Sequence, residues 1–549
     1  MSAPRYRPSE EVDFVIVGSG AAGGVMATAL ATSGFKVVVL EQGPYFKEKD
    51  FRHDEFAVLQ QSALTNDFRK QPNTFRETDN DTARIQPAVE YGRMVGGGSV
   101  HFTANYWRFH ESDFRERSEW GSVTGAALAD WPITYTDLEP FYTKAEWELG
   151  VSGLAGANPF EAPRSKPYPL PPMPVKPSGI VLDRAMRKMG LHPYPAPVAV
   201  LSRPYRGRGA CTHCGFCESF GCEIRAKSST LAALIPLAEK TGRCEIRPES
   251  YARKIETSSA RRVTGVVYFD RARREVFQRA KAVAVCANGA ETPRLLLLSE
   301  SARFPHGLAN SSGLVGKHLM FDNWAYAMGL FEHPMDEYKS IVTTRVSHDF
   351  YNAGKKHGFY AGAGIDVRYD LTPIAGALDG LPPDVPKWGA GYKQALGRYF
   401  THTTGLLAHC SCLPQERNSI SLDPDTKDAW GMPAMRVTFR NHEDDFKTMR
   451  FMRERLLEIL QAAGANKTWA MPVENVAFSR HLMGTCRMGN DPRSSVVNAD
   501  HRAHDVPNLF LVDGSSFVTC GRQQPTATIQ ALAYRAAERV TTLARRAEI

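Results

Sequence analysis

The sequence predicts an α/β fold with a second, antiparallel-sheet unit. Residues 13–41 hold two short runs that are apolar on both faces, joined by a glycine turn and a helical stretch, as in a βαβ unit of a parallel sheet. Strand–turn–helix junctions recur near residues 287 and 513. Between about 325 and 469, aromatic and β-branched stretches (Asn323 to Phe331, Met435 to Arg440) predict antiparallel strands, with a helix over Asp444 to Gly464.

Composition excludes several classes. With 549 residues, 43% hydrophobic and 23% charged, the chain is neither disordered, collagen-like nor a polytopic membrane protein. The net charge of +8 is spread along the chain without a Lys/Arg run, which argues against nucleic-acid binding. Phe14 to Phe35 is uncharged and long enough to span a bilayer, but it holds five glycines and reads as strand, turn and packed helix. Met1 to Asp13 carries three acidic residues and no apolar block, so neither a secretory nor a twin-arginine signal is expected.

The first βαβ unit has a nucleotide fingerprint. The strand Asp13 to Gly18 runs into Gly18-Ser-Gly20-Ala-Ala-Gly23-Gly24, then a helix through Leu30 and a strand Lys36 to Leu40 ending at Glu41. Gly18 permits the tight turn, Gly20 lets backbone N–H groups approach a pyrophosphate, and Gly23 lets helix and strand pack closely. The helix N-terminus adds partial positive charge for the phosphates. Glu41 lies where an acid binds a ribose hydroxyl.

Four more segments carry a family resemblance: Gly92-Arg-Met-Val-Gly-Gly-Gly-Ser99, Ala287-Asn-Gly-Ala-Glu-Thr-Pro293, His481-Leu-Met-Gly-Thr-Cys-Arg-Met-Gly489 and Asn508-Leu-Phe-Leu-Val-Asp513-Gly514-Ser. In order and spacing the chain resembles the glucose–methanol–choline (GMC) flavoprotein oxidoreductases from about residue 12 to 540. The resemblance implies FAD rather than NAD, and oxidation of an alcohol carbon. It makes the Gly92–Ser99 loop, with Gly97 inside it, a side-chain-poor bed for a flavin. It brings Ala287, Asp513 and Gly514 to the cofactor at strand ends. A helix Thr526 to Thr542 would aim its N-terminus at the flavin pyrimidine. The implied architecture is a GMC-type FAD-binding Rossmann-like domain (residues 1–100, 200–325 and 470–549, with a cysteine-rich loop at 205–225) and an antiparallel-sheet substrate domain (101–199 and 326–469).

Alcohol oxidation needs the hydroxyl proton removed, and a neutral imidazole suits that task. His481 matches the family's catalytic histidine. The family's second catalytic position, His or Asn before Pro, falls on Gln524 in Gly521-Arg-Gln-Gln-Pro525, with Gln523 as the alternative. Gln donates and accepts hydrogen bonds but is no base. His101, in Gly97-Gly-Ser99-Val-His101, resembles the histidine that bonds covalently to flavin in pyranose-oxidising relatives. A ring merely stacked at the dimethylbenzene edge is the equal alternative.

Four of the ten cysteines fall within twelve residues: Cys211, Cys214, Cys217 and Cys222. The spacing is compressed for structural zinc and awkward for two exclusive disulfides. A Cys-x2-Cys-x2-Cys run fits an iron–sulfur cluster, of three or four irons, best. Flavoprotein subunits of bacterial sugar dehydrogenases are similar here, though with different spacing, so which three or four cysteines bind iron stays open. The remaining six cysteines read as core or loop residues.

This resemblance implies an FAD-dependent dehydrogenase oxidising a secondary pyranose hydroxyl, C3 of a glucoside first. The alternatives are a gluconate- or glucose-type dehydrogenase subunit, and an oxidase using oxygen with its cysteines as disulfides. It further implies a small subunit carrying an export signal, a cytochrome c-type acceptor and a periplasmic location, with a cytoplasmic one as the alternative.

Overall fold

A computed structural model describes residues 5–369 and 371–549. Its first sheet has five parallel strands in the order Cys244–Arg247, Val37–Leu40, Val12–Val17, Glu275–Val285 and Leu509–Leu511. Val15 lies opposite Val38 on one side and Val283 on the other, and all three are fully buried. This two-sided burial explains the unbroken valine and isoleucine runs. The strand Glu275–Val285 leads into the junction expected near residue 287. Its first half pairs antiparallel with Val263–Phe269, which in turn pairs with Tyr251–Thr257.

The helix Ala21–Thr32 follows the glycine turn and packs on the C-terminal helix Thr526–Arg545, which runs three residues beyond expectation. The helix Tyr135–Leu149 starts where Thr134 accepts from Asp137 N–H and Asp137 accepts from Thr134 N–H, a reciprocal cap. The helix expected at Asp444 spans Glu443–Ala462.

The second sheet is antiparallel, as expected, but it takes only the stretch at Asn323; the one expected at Met435 pairs in a different sheet. Its order is Lys467–Ala470, Asn323–Leu330, Thr403–Cys410, Ala363–Arg368, Thr343–Ser347 and Tyr194–Pro195. A third sheet was not anticipated. It joins Ser419–Lys427, Pro433–Thr438, Asn73–Arg76 and Arg84–Ile85. The pairing of Asn73–Arg76 with Pro433–Thr438 is parallel and crosses most of the chain, so no local pattern announces it. The cysteine segment lies in an irregular stretch between Tyr194–Pro195 and a short helix at Thr230–Ala233. Among the described residues no helix is long and apolar enough to cross a membrane.

Candidate active site

The carboxyl ends of the parallel strands open into a cavity of about 580 Å³, whose far wall is the antiparallel sheet. Open α/β sheets bind ligands at this edge. Gly18, Gly20, Glu41, Gly92, Gly97, Ser99, His101, Ala287, Asp513 and Gly514 all line it, together with His481 and Gln524. Gly23 does not. A Cβ there would sit 2.0 Å from Gly18 O, so Gly23 serves the contact between helix and turn, as its spacing predicts.

Two backbone contacts shape the cradle. Gly18 has φ +91°, and a Cβ on it would meet Cys286 O at 2.5 Å. Gly97 has φ +52°, and its Cβ would meet Gly20 Cα at 2.7 Å. The two glycine loops therefore touch main chain to main chain, leaving their N–H faces to a ligand. Glu41 is buried. Its Oε2 accepts from Ser19 N (3.1 Å) and Ser19 Oγ (2.7 Å), and its Oε1 from Gly43 N (2.9 Å). Oε1 retains a lone pair, suited to a ribose hydroxyl. Asp513 ties the last parallel strand to the helix Asn288–Leu298. Its Oδ2 accepts from Asn288 N (3.0 Å) and Thr292 Oγ1 (2.6 Å), and its Oδ1 from Ser515 N (2.8 Å). Pro525, Thr526 and Ile529 bring the start of the C-terminal helix to the cavity.

On the opposite wall, His481 Nδ1 lies 2.9 Å from Asp322 Oδ2, and His409 Nδ1 lies 2.8 Å from the same oxygen. Burial works against the Asp322 charge, but the imidazoles of His409 and His481 outweigh it and hold this carboxyl well below the usual range. His409 is 3.5 Å from Asp366 Oδ2 through Nε2. Burial opposes its charge too, but Asp322 and Asp366 prevail and push its pKa up to about 9. Gln524 Nε2 lies 2.6 Å from His409 Nε2. Gln523 instead turns away and donates to Arg108 O, so Gln524 is the one that reaches the cavity.

Two profiles of the GMC oxidoreductase family match residues 12–322 and 414–533. The chain belongs to the GMC oxidoreductase family. It is 34% identical over 542 residues to 2-methyl-1,2-propanediol dehydrogenase of Mycolicibacterium austroafricanum, covering 97% of this chain and 96% of the relative. It is 30% identical over 550 residues to the fructose dehydrogenase large subunit of Gluconobacter japonicus, covering 96% and 97%. The fold matches formate oxidase of Aspergillus oryzae with TM-score 0.67 at 16% identity, covering 99% of this chain and all of the other. As a GMC oxidoreductase the protein uses FAD. The main-chain cradle and the open lone pair of Glu41 fit that cofactor.

Two further features of this GMC chain bear on the cofactor. His101 is buried with Nε2 unpartnered among the described residues, and burial, helped by Arg480 and Lys227, pushes its pKa down to about 3. It is a neutral ring with a free nitrogen on the cavity wall. The cysteine loop joins the same segment. Ser219 N donates to His101 O at 2.8 Å. Buried Lys227 Nζ donates to the carbonyls of Phe102 (3.1 Å), Cys217 (2.6 Å) and Phe220 (2.7 Å). Cys211, Cys214, Cys217 and Cys222 all carry free thiols, and burial pushes Cys217 up to about 12. The other six cysteines are buried.

Sequence reasoning missed Asp322, His409 and Asp366. None belongs to a motif. The available signal was a titratable residue flanked by apolar neighbours within a strand, Ile365-Asp366-Val367 and Ala408-His409-Cys410.

Proposed function

We propose that this chain is a dehydrogenase oxidising a secondary hydroxyl of a pyranose sugar or glucoside, with C3 the preferred carbon. The Asp322–His481 pair carries the reading. The ionised carboxylate accepts the Nδ1 proton of His481, which fixes the tautomer and leaves Nε2 as a lone pair facing no partner among the described residues. His481 Nε2 takes the hydroxyl proton of the substrate, and Asp322 stabilises the imidazolium that results. Bound FAD supplies the acceptor for the hydride from the same carbon. Gln524, across from His481, holds the reacting oxygen by a hydrogen bond. The half-exposed Trp324 and Phe478, with Tyr326 and Arg368, line the same cavity, and aromatic faces beside polar heads suit a sugar ring.

An iron–sulfur cluster on Cys211, Cys214, Cys217 and Cys222 would supply a one-electron relay. The donor set fits. A buried thiol pushed up to about 12 becomes a thiolate when a metal takes its proton's place, and Lys227 beside it offsets the negative charge. The direct bond from Ser219 to His101 supports a short route from flavin to loop. A cytochrome c-type acceptor and a small subunit carrying the export signal to the periplasm complete this reading. The fructose dehydrogenase relative is named as a large subunit, which accords with a chain that works in company. On the same reading, the free Nε2 of His101 is available for a covalent flavin bond.

Anaerobic titration of the holoenzyme tests this, with flavin absorbance followed on a sample already assayed for iron. Bleaching by glucosides is expected. Bleaching by 2-methyl-1,2-propanediol alone would transfer the assignment to small diols, and absence of iron would remove the relay.

A further inference from the structure

We propose that His409 is a positioning residue for alcohol oxidation: seated between Asp322 and Asp366, its ring decides which end of the Gln524 amide the substrate meets. This rests on the reading of the site above.

The side chain of His409 projects from the strand Thr403–Cys410 and is buried. Its Nδ1 shares Asp322 Oδ2 with His481. Its Nε2 lies 2.6 Å from Gln524 Nε2, so the NH2 end of the amide faces the ring in this structure, and 3.5 Å from Asp366 Oδ2. Asp366, on the neighbouring strand, accepts from Asn105 Nδ2 at 3.0 Å and has Arg368 at 3.6 Å. His348 is the other titratable ring nearby, and Trp107 meets His409 edge-on at 6.0 Å. Gln524 lines the cavity, and its Oε1 has no partner.

One ring nitrogen is committed to Asp322, so the amide must answer the other. When His409 is neutral, Nε2 is a lone pair. The Gln524 NH2 then turns to it, and the amide oxygen is left for the substrate. An oxygen facing an alcohol that is losing its proton repels the developing charge. When His409 is protonated, Nε2–H donates, the amide oxygen turns to the ring, and the NH2 is left for the substrate. That group donates to the reacting oxygen while His481 takes the proton. The two flanking carboxylates favour the protonated ring, with a pKa of about 9. Protonation of the ring thus turns the amide over from the orientation seen here, with Nε2 at the ring and Oε1 free, and makes Gln524 a donor at neutral pH that loses the role in alkali.

The test uses the holoenzyme, 15N-labelled at histidine, and methyl glucoside as substrate. His409 should read as imidazolium at neutral pH and titrate near 9. In the wild type, kcat should fall over the same range with KM little changed. His409→Asn should abolish that alkaline limb and lower kcat at neutral pH by about 100-fold, the usual loss for one donor to a developing oxyanion. Gln524→Glu, which accepts but cannot donate, should lose as much with His409 still protonated. A neutral His409 ring at neutral pH, or an alkaline limb that survives His409→Asn, overturns the proposal. If methyl glucoside fails to reduce the flavin, the substrate reading fails and the 15N titration alone decides the role of His409. If His409→Asn does not fold, the 15N titration of the wild type and the Gln524→Glu variant decide it.

Discussion

At the scale of single residues the chemistry rests on one carboxylate. Asp322 meets two imidazoles with one oxygen, so its charge sets the tautomer of His481 and the protonation of His409 together. Replacing His481 by Gln should lower kcat by about 1,000-fold while flavin stays bound, as loss of a general base does; absorbance and turnover measure both. Asp322→Asn should pull the His409 pKa down, since the first carboxylate of its pair is gone, and the alkaline limb of kcat should move to lower pH. The same linkage governs stability. The folded His409 pKa is raised from 6.5 to about 9, so its contribution is full below about pH 6.5 and is lost as pH rises through about 9. Thermal unfolding of the holoenzyme across that range should show the slope, and His409→Asn should flatten it.

At the scale of elements, the flavin bed is two loops pressed together and the opposite wall is a strand ladder. Gly18→Ala should weaken FAD by at least about tenfold, because a methyl at φ +91° strikes Cys286 O. Flavin content after dialysis measures it. Arg108 shows how the helix Tyr135–Leu149 is fastened. It donates to Glu146 Oε1 (2.7 Å) and Glu139 Oε1 (2.9 Å), all largely buried. Glu146 keeps Arg164 at 3.2 Å, so Arg108→Ala should cost about 2–3 kcal/mol, below the penalty for a fully stranded buried charge, read by denaturant unfolding.

Legibility follows the same division. The turn at Gly18–Gly23, the acid at Glu41 and the histidine at 481 were readable because each lies in a contiguous motif whose spacing encodes its job. Asp322 and His409 were not. Asp322 immediately precedes one strand and His409 lies on another, and they meet only once Asn323 pairs with Cys410 in the antiparallel register. The third sheet was hidden for a similar reason: its paired strands Asn73–Arg76 and Pro433–Thr438 lie more than 350 residues apart. Of Gln523 and Gln524, adjacent and identical, only packing against Arg108 separates the roles.

For the molecule as a whole, the flavin cavity and the cysteine loop share a boundary at residues 101–102, and on the proposed reading electrons would leave across it. Cys217→Ser should lower iron content and slow reduction of a one-electron dye, yet leave anaerobic flavin bleaching by substrate intact; iron assay and stopped-flow absorbance separate the two.

Lys227 sits on that boundary with all three ammonium protons held by carbonyls from both sides, Phe102 on one and Cys217 and Phe220 on the other. Such a rivet couples the flavin cavity to the cysteine loop. Stripping the flavin slackens the strap that carries the thiols, so the apoprotein should be nicked by trypsin within that strap sooner than the loaded enzyme.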